Sequence, residues 1–180
     1  MSKTKPVKII IVDDSKLTLV GLNTTFSREE DIQIVGTAEN GKIALEKIKI
    51  NKPDVVLMDI GMPVMDGIQA TKEIKKLYPE IKVIMLTSHD SERDVFDAFS
   101  AGANSYCMKD IQPDILVSVV KSTCDGASWL DPAIAAIVLR SFTKKTTSIK
   151  SQESVLTDRE IDVLSLIAKG YSNLDISETL

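Results

Sequence analysis

Five side chains carry the chemistry that this sequence suggests. They are the paired carboxylates Asp13 and Asp14, the single carboxylate Asp59, the hydroxyl of Thr87 and the ammonium of Lys109. Three carboxylates brought within a few ångströms repel one another unless a hard cation lies among them. Carboxylate oxygens suit Mg²⁺, which prefers one or two protein carboxylates together with waters and phosphate oxygens. A carboxylate can also attack phosphorus and form an acyl phosphate, while a metal and a lysine spread the charge of the transferring group. Taken singly, each residue has a plainer role: Asp13 or Asp14 as a helix cap, Thr87 as a strand-end hydroxyl, Lys109 as a surface charge. The chemistry therefore depends on whether the fold brings them together.

The surrounding pattern predicts that it does. Apolar, β-branched runs alternate five times with helical periodicity, the signature of a parallel sheet wrapped by helices. The strands are expected at Val7 to Val12, Ile32 to Ala38, Val55 to Met58, Lys82 to Leu86 and Ser105 to Met108. The first and third are nearly continuous apolar runs, as strands covered on both faces should be. Helices are expected at Lys16 to Ser27, Gly41 to Asn51, Gly67 to Leu77, Glu92 to Ala101 and Pro113 to Asp125, with Asn40-Gly41, Asn51-Lys52-Pro53 and Tyr78-Pro79 as punctuation. Every one of the five reactive residues then falls just after a strand. In an open α/β sheet that rim, where the strand order reverses, is where ligands collect.

The set Val12-Asp13-Asp14, Met58-Asp59-Ile60-Gly61-Met62-Pro63-Val64-Met65-Asp66-Gly67, Leu86-Thr87-Ser88 and Ser105-Tyr106-Cys107-Met108-Lys109-Asp110 resembles the receiver domain of two-component response regulators over about Val7 to Gly126. Each piece is modest alone; their joint occurrence, in order and at strand ends, is specific. The resemblance implies an α/β, flavodoxin-like (CheY-like) doubly wound fold with a five-stranded parallel sheet in the order 2-1-3-4-5. It implies that Asp59 is the phosphoacceptor, that Asp13, Asp14, Asp59 and the Gly61 carbonyl hold Mg²⁺, and that Thr87 and Lys109 contact the phosphoryl group. Thr87 and Tyr106 would form the switch, with Tyr106 turning inward as Thr87 is drawn to the phosphoryl group, and a phosphorylation-dependent homodimer would be the readout. Gly61 places no side chain over the phosphoryl group, and His89, two residues after Thr87, could partly cover it. His89 is the only histidine, and its loop position suits a phosphodonor poorly, so the donor is expected to be a separate sensor histidine kinase.

Beyond Gly126, Trp129-Leu130-Asp131-Pro132 predicts a sixth helix, with Asp131 as cap, Pro132 in the first turn and Ile134, Ile137 and Val138 as its apolar stripe. The Thr-, Ser- and Lys-rich stretch from Thr143 to Ser154 reads as a solvated linker. From Val155, Leu156-Thr157-Asp158-Arg159-Glu160 forms a capping box before Ile161, Leu164, Ile167 and Ala168. Together with Gly170-Tyr171-Ser172-Asn173 and Ile176, this run resembles the opening of the helix-turn-helix domain of NarL/FixJ (LuxR-type) regulators. The expected organisation is a receiver over 1–126, a linker helix and linker over 127–154, and the first part of a LuxR-type DNA-binding domain over 155–180. The helices that would read the major groove and support dimerisation fall beyond Leu180. Specific DNA binding is accordingly expected of a longer parent and not of these 180 residues.

Composition excludes several other classes. An apolar fraction of 43% with 27% charged residues fits a globular chain. No apolar run approaches the ~20 residues of a membrane span, and the first residues lack a signal-peptide core, so a cytoplasmic location without a membrane partner is expected. The net charge of −4 includes no strongly basic segment. Cys107 and Cys124 form no CxxC pair and are expected as small hydrophobes. An adaptor that works only by protein contact is the alternative to a transcriptional regulator. A phosphatase or flavin protein on the same fold fits less well, since no GxGxxG or GxxxxGK[ST] loop and no further acid/base groups are present. No enzymatic turnover beyond the chain's own phosphorylation and dephosphorylation is expected.

Overall fold

Strands made of branched apolar residues bury both faces only when helices lie on both sides, and the computed structural model shows that arrangement for residues 5–88 and 90–148, with side chains described to residue 141. The expectations for His89 and for residues 155–180 lie outside the described residues. Val7–Val12 (β1), Ile32–Ala38 (β2), Val55–Met58 (β3), Lys82–Thr87 (β4) and Ser105–Met108 (β5) form one parallel sheet in the order β2-β1-β3-β4-β5. Lys16–Phe26 (α1), Gly41–Asn51 (α2), Gly67–Leu77 (α3), Glu92–Ser100 (α4) and Pro113–Cys124 (α5) connect and follow the strands, and Pro132–Ser148 (α6) follows α5. The expected strand order and all five connecting helices are present. Boundaries move by one residue: Ser27, Ala101 and Asp125 are the C-caps of α1, α4 and α5, and Thr87 is the last residue of β4.

Period-two alternation divides the strand side chains between two cores. Ile10, Val12, Val56, Met58, Val83, Met85 and Tyr106 enter one of them, and Ile9, Ile11, Val55, Leu57, Ile84, Leu86 and Cys107 enter the other. Both cysteines are free; Cys107 is buried, and burial pushes its thiol up to about 12, as expected of a small core residue. Local signals start the helices where they were expected. The side chains of Ser15, Asn40, Asp66 and Ser91 each accept a backbone N–H in the first turn of α1, α2, α3 and α4. Because Ser15 caps α1, the carboxylates of Asp13 and Asp14 are not consumed as caps.

Helix α6 departs from expectation at its far end. Asp131 caps it as predicted, accepting the Ala133 N–H at 3.0 Å, but the helix continues to Ser148, through the first half of the stretch read as linker. Residues 133 to 148 contain neither Gly nor Pro. Once the first turns are fixed by packing, extension adds a hydrogen bond for each residue fixed, and Ser, Thr and Lys reduce that gain without cancelling it.

Among the described residues two non-glycines take a left-handed conformation, Lys52 at the end of α2 and the β-branched Val64. Val64, between β3 and α3, has φ 70° and is 80% exposed. A left-handed conformation costs an L-residue roughly 1–2 kcal/mol, while glycine gives back about 0.5–1 kcal/mol through the entropy of the unfolded chain. Val64→Gly is therefore expected to stabilise the fold by about 0.5–1 kcal/mol, measured as a raised urea midpoint at constant slope. A lowered midpoint would show that the valine side chain makes a contact worth more than its strain.

Candidate functional site

Strand pairing brings the acids together. Val12 of β1 lies opposite Met58 of β3, and the residues that follow extend the ladder: the Asp59 N–H donates to the Val12 carbonyl at 2.9 Å and the Asp13 N–H to that of Ala38 at 3.0 Å. One ligand oxygen from each of Asp13, Asp14 and Asp59 lies within 4.8 Å of the others. Asp13 and Asp59 are buried, and Asp14 is exposed at the rim. On the other side, Thr87 pairs with Met108, and the Lys109 N–H donates to the Thr87 carbonyl at 3.0 Å, so the hydroxyl-bearing strand end and the lysine are fastened to each other.

Lys109 then reaches into the acidic cluster. Its Nζ lies 2.7 Å from Asp13 Oδ2 and 3.0 Å from Asp59 Oδ2. Burial works against the ammonium, but the hydrogen bonds to Asp13 and Asp59 outweigh it, and the lysine titrates above its ordinary value. The other oxygens are held by backbone: Asp59 Oδ1 accepts the Ile60 N–H at 2.8 Å, and Asp13 Oδ1 accepts the Ser15 N–H at 2.9 Å. Both buried carboxylates are thus oriented by one amide and one shared cation, leaving Asp14 as the solvent-facing acid. An all-oxygen donor set of this kind fits a hard divalent cation, which would have to share Asp13 and Asp59 with Lys109. Gly61 lies exposed in the loop that follows Asp59.

Two features were not anticipated. Asp66-Gly67 is a pair of the kind common in turns, yet Asp66 caps α3, with the Gln69 N–H donating to its Oδ1 at 2.7 Å, and Gly67 is where α3 touches the strand end that carries Asp59. A Cβ on Gly67 would lie 1.9 Å from the Asp59 carbonyl oxygen, and the Gly67 N–H donates to the Ile60 carbonyl at 3.0 Å. The spacing of Asp-Gly after Asp59 was visible, but the close approach that requires glycine is a tertiary fact. The second feature is Tyr106, expected to turn inward on activation. Its side chain is already fully buried here, because Phe99 of α4, at a ring-centroid distance of 6.2 Å, and Ile134 and Val138 of α6 share its core.

Comparison with known proteins agrees with this geometry. Residues 9–121 match the response regulator receiver domain family, and residues 154–180 match the luxR family of bacterial regulatory proteins. The chain belongs to the response regulator family. This regulator is of the NarL/FixJ type, a receiver joined to a LuxR-type DNA-binding segment, and it acts in transcription regulation. It is 39% identical to the response regulator protein VraR of Staphylococcus epidermidis over 171 residues, 95% of this chain and 80% of that one. The Staphylococcus aureus VraR is equally similar. Among solved structures, the receiver domain of NarL from Mycobacterium tuberculosis superposes with a TM-score of 0.66 at 31% identity, covering 68% of this chain and 99% of that one. A LuxR-family two-component regulator from Aurantimonas superposes with a TM-score of 0.72 at 26% identity, covering 77% and 99%. Among the regulator's described residues, no helix is long and apolar enough to cross a membrane.

Proposed function

We propose that Asp59 is the phosphoacceptor of this regulator and that a separate sensor histidine kinase supplies the phosphoryl group. The supporting observation is the bridge from Lys109 Nζ to both Asp13 Oδ2 and Asp59 Oδ2, which places a cation where a transferring phosphoryl group would gather charge. In the transfer a carboxylate oxygen of Asp59 forms the new P–O bond as the P–N bond to the kinase histidine breaks, and the imidazole departs with the bonding electrons. Asp13, Asp14, Asp59 and the Gly61 carbonyl are the residues that would hold Mg²⁺, which when bound offsets the negative charge of the phosphoryl oxygens. The Ile60 N–H orients the acceptor carboxylate, Lys109 moves from pairing carboxylates to pairing the phosphoryl group, and the Thr87 hydroxyl donates to it.

The readout is a two-state change in which the Thr87 and Tyr106 region alters the surface of α4 and β5, favouring a homodimer and passing the signal to the DNA-binding segment. The protein works in the cytoplasm and processes no other substrate; its own chemistry is gain and loss of the phosphoryl group. Incubation with acetyl phosphate and Mg²⁺, followed by intact mass measurement, tests the assignment. One phosphoryl group is expected on the wild type and none on Asp59→Asn. An adduct retained by the variant would refute Asp59 as acceptor.

A further inference from the structure

The segment between α5 and α6 is attached to the switch tyrosine itself. β5 is the edge strand of the sheet, and at Tyr106 its outer side is paired. The Tyr106 N–H donates to the Trp129 carbonyl at 2.8 Å, the Asp131 N–H donates to the Tyr106 carbonyl at 3.0 Å, and Leu130 forms a parallel bridge with Tyr106. A buried hydroxyl pair sets this register. The Trp129 N–H donates to Ser105 Oγ at 2.9 Å, and Ser105 Oγ lies 2.8 Å from Thr123 Oγ1 of α5, both residues being fully buried. With Ser105 Oγ accepting from Trp129, its own proton is available for Thr123. Trp129 and Leu130 then fall on opposite sides of the sheet edge, Trp129 against the α5 core and Leu130 against the core that contains Tyr106. Leu130 leads directly into α6, whose Ile134 (0% exposed) and Val138 (8%) close over that same core.

Edge pairing and helix cover thus converge on one residue. We infer that residues 127–141 form an intramolecular clamp on Tyr106, so that docking of the linker and phosphorylation of Asp59 favour one another. The inference rests on the proposed coupling of Asp59, Thr87 and Tyr106. If phosphorylation favours the inward tyrosine, and the docked linker packs only against the inward tyrosine, each event raises the equilibrium constant of the other by the same factor. Position follows from the same geometry: α6 is the element that leads from the receiver toward the DNA-binding segment. A change in how firmly it is docked therefore alters the link between the two parts of the chain without any contact between Asp59 and the output.

Amide-resolved hydrogen exchange on the full chain, combined with intact mass, tests this. Acetyl phosphate with Mg²⁺ is expected to slow exchange of the Tyr106 and Asp131 amides about fivefold or more, the lower end of ordinary allosteric coupling, and to change the emission of Trp129, the only tryptophan. Ile134→Ala, which thins the cover, and Ser105→Ala, which loosens the register, are expected to speed exchange of those two amides. Both are also expected to lower the level at which the adduct plateaus, while amides of β1 and β3 stay protected. Two different variants guard against one that fails to fold. A wild-type adduct plateau in variants whose Tyr106 and Asp131 amides have been freed would overturn the clamp, as would an adduct on the wild type that leaves those amides unchanged or exchanging faster. Absence of any adduct on the wild type would instead sink the assignment of Asp59, and the coupling with it.

Discussion

Gly67→Ala is expected to cost about 3 kcal/mol or more of folding stability, at the upper end of what overpacking a core does, and to be visible as a clearly lowered urea midpoint. The added Cβ would lie 1.9 Å from the Asp59 carbonyl oxygen and 2.8 Å from its carbon. Backbone at the end of a central strand, held by the Asp59 N–H to the Val12 carbonyl, cannot yield as a flexible side chain can. The shift must be taken by α3, which carries Ala70 and Ile74 in the core, or by the segment that carries Asp59. Native domains have only about 5–15 kcal/mol in total, so much of the margin would be lost, and whatever folds would hold Asp59 out of place. Gly21 provides the matched control. It lies inside α1 with nothing within 4 Å of an added Cβ, so Gly21→Ala should follow helix propensity and stabilise by about 0.5–1 kcal/mol. If the two variants behaved alike, the close approach of α3 to the Asp59 backbone would be disproved.

The second large effect concerns Lys109, where stability and metal binding should move in opposite directions. Removing one partner of a buried ion pair costs about 3–5 kcal/mol because the remaining charge is left uncompensated. The Lys109 side chain keeps 23% of its exposure, so solvent screens part of this, and Lys109→Met is expected to destabilise by about 2 kcal/mol in the absence of divalent cations. The raised titration of Lys109 means that its pairing persists through neutral pH, and its contribution is lost only as pH climbs beyond the ordinary lysine value of 10.5. In the variant Asp13 and Asp59 no longer share an internal cation. Mg²⁺ should therefore bind more tightly than to wild type and recover most of the lost stability, since a ligand that binds only the folded state stabilises it by mass action. Acceptance of a phosphoryl group should nevertheless fall at least tenfold, because the charge that Lys109 supplies to the transferring group is gone. Thermal unfolding with and without Mg²⁺, beside intact mass after acetyl phosphate, measures all three. Unchanged Mg²⁺ affinity would show that lysine and metal do not compete for the carboxylates.

These two residues illustrate how far the sequence could be read. Lys109 is legible because its position after the fifth apolar run places it on the rim with Asp13 and Asp59, and strand ends are set by local patterning. Gly67 is legible as the first residue of an expected helix and as half of an Asp-Gly pair, which many turns contain. Its need for hydrogen at Cα arises from how closely α3 packs on β3. Asp13 and Asp14, whose plainer reading was helix capping, are released from that role by Ser15, whose Oγ accepts the Thr18 N–H at 3.3 Å.

By itself the sequence determined the kind and position of every element of the receiver, because hydrophobic period and capping residues act within a few residues of one another. It also placed Asp13, Asp14, Asp59, Thr87 and Lys109 at strand ends, which in a parallel sheet share one rim. The tertiary structure alone decided which carboxylate oxygens Lys109 bridges, why position 67 must be glycine, and that the linker lies on Tyr106. These depend on register between strands distant in sequence and on packing at the scale of one methyl group. The length of α6 belongs with them: its first turns are fixed by burial of Ile134 and Val138 against α4 and β5, and that burial carries the helix into residues whose composition suggested a loose linker.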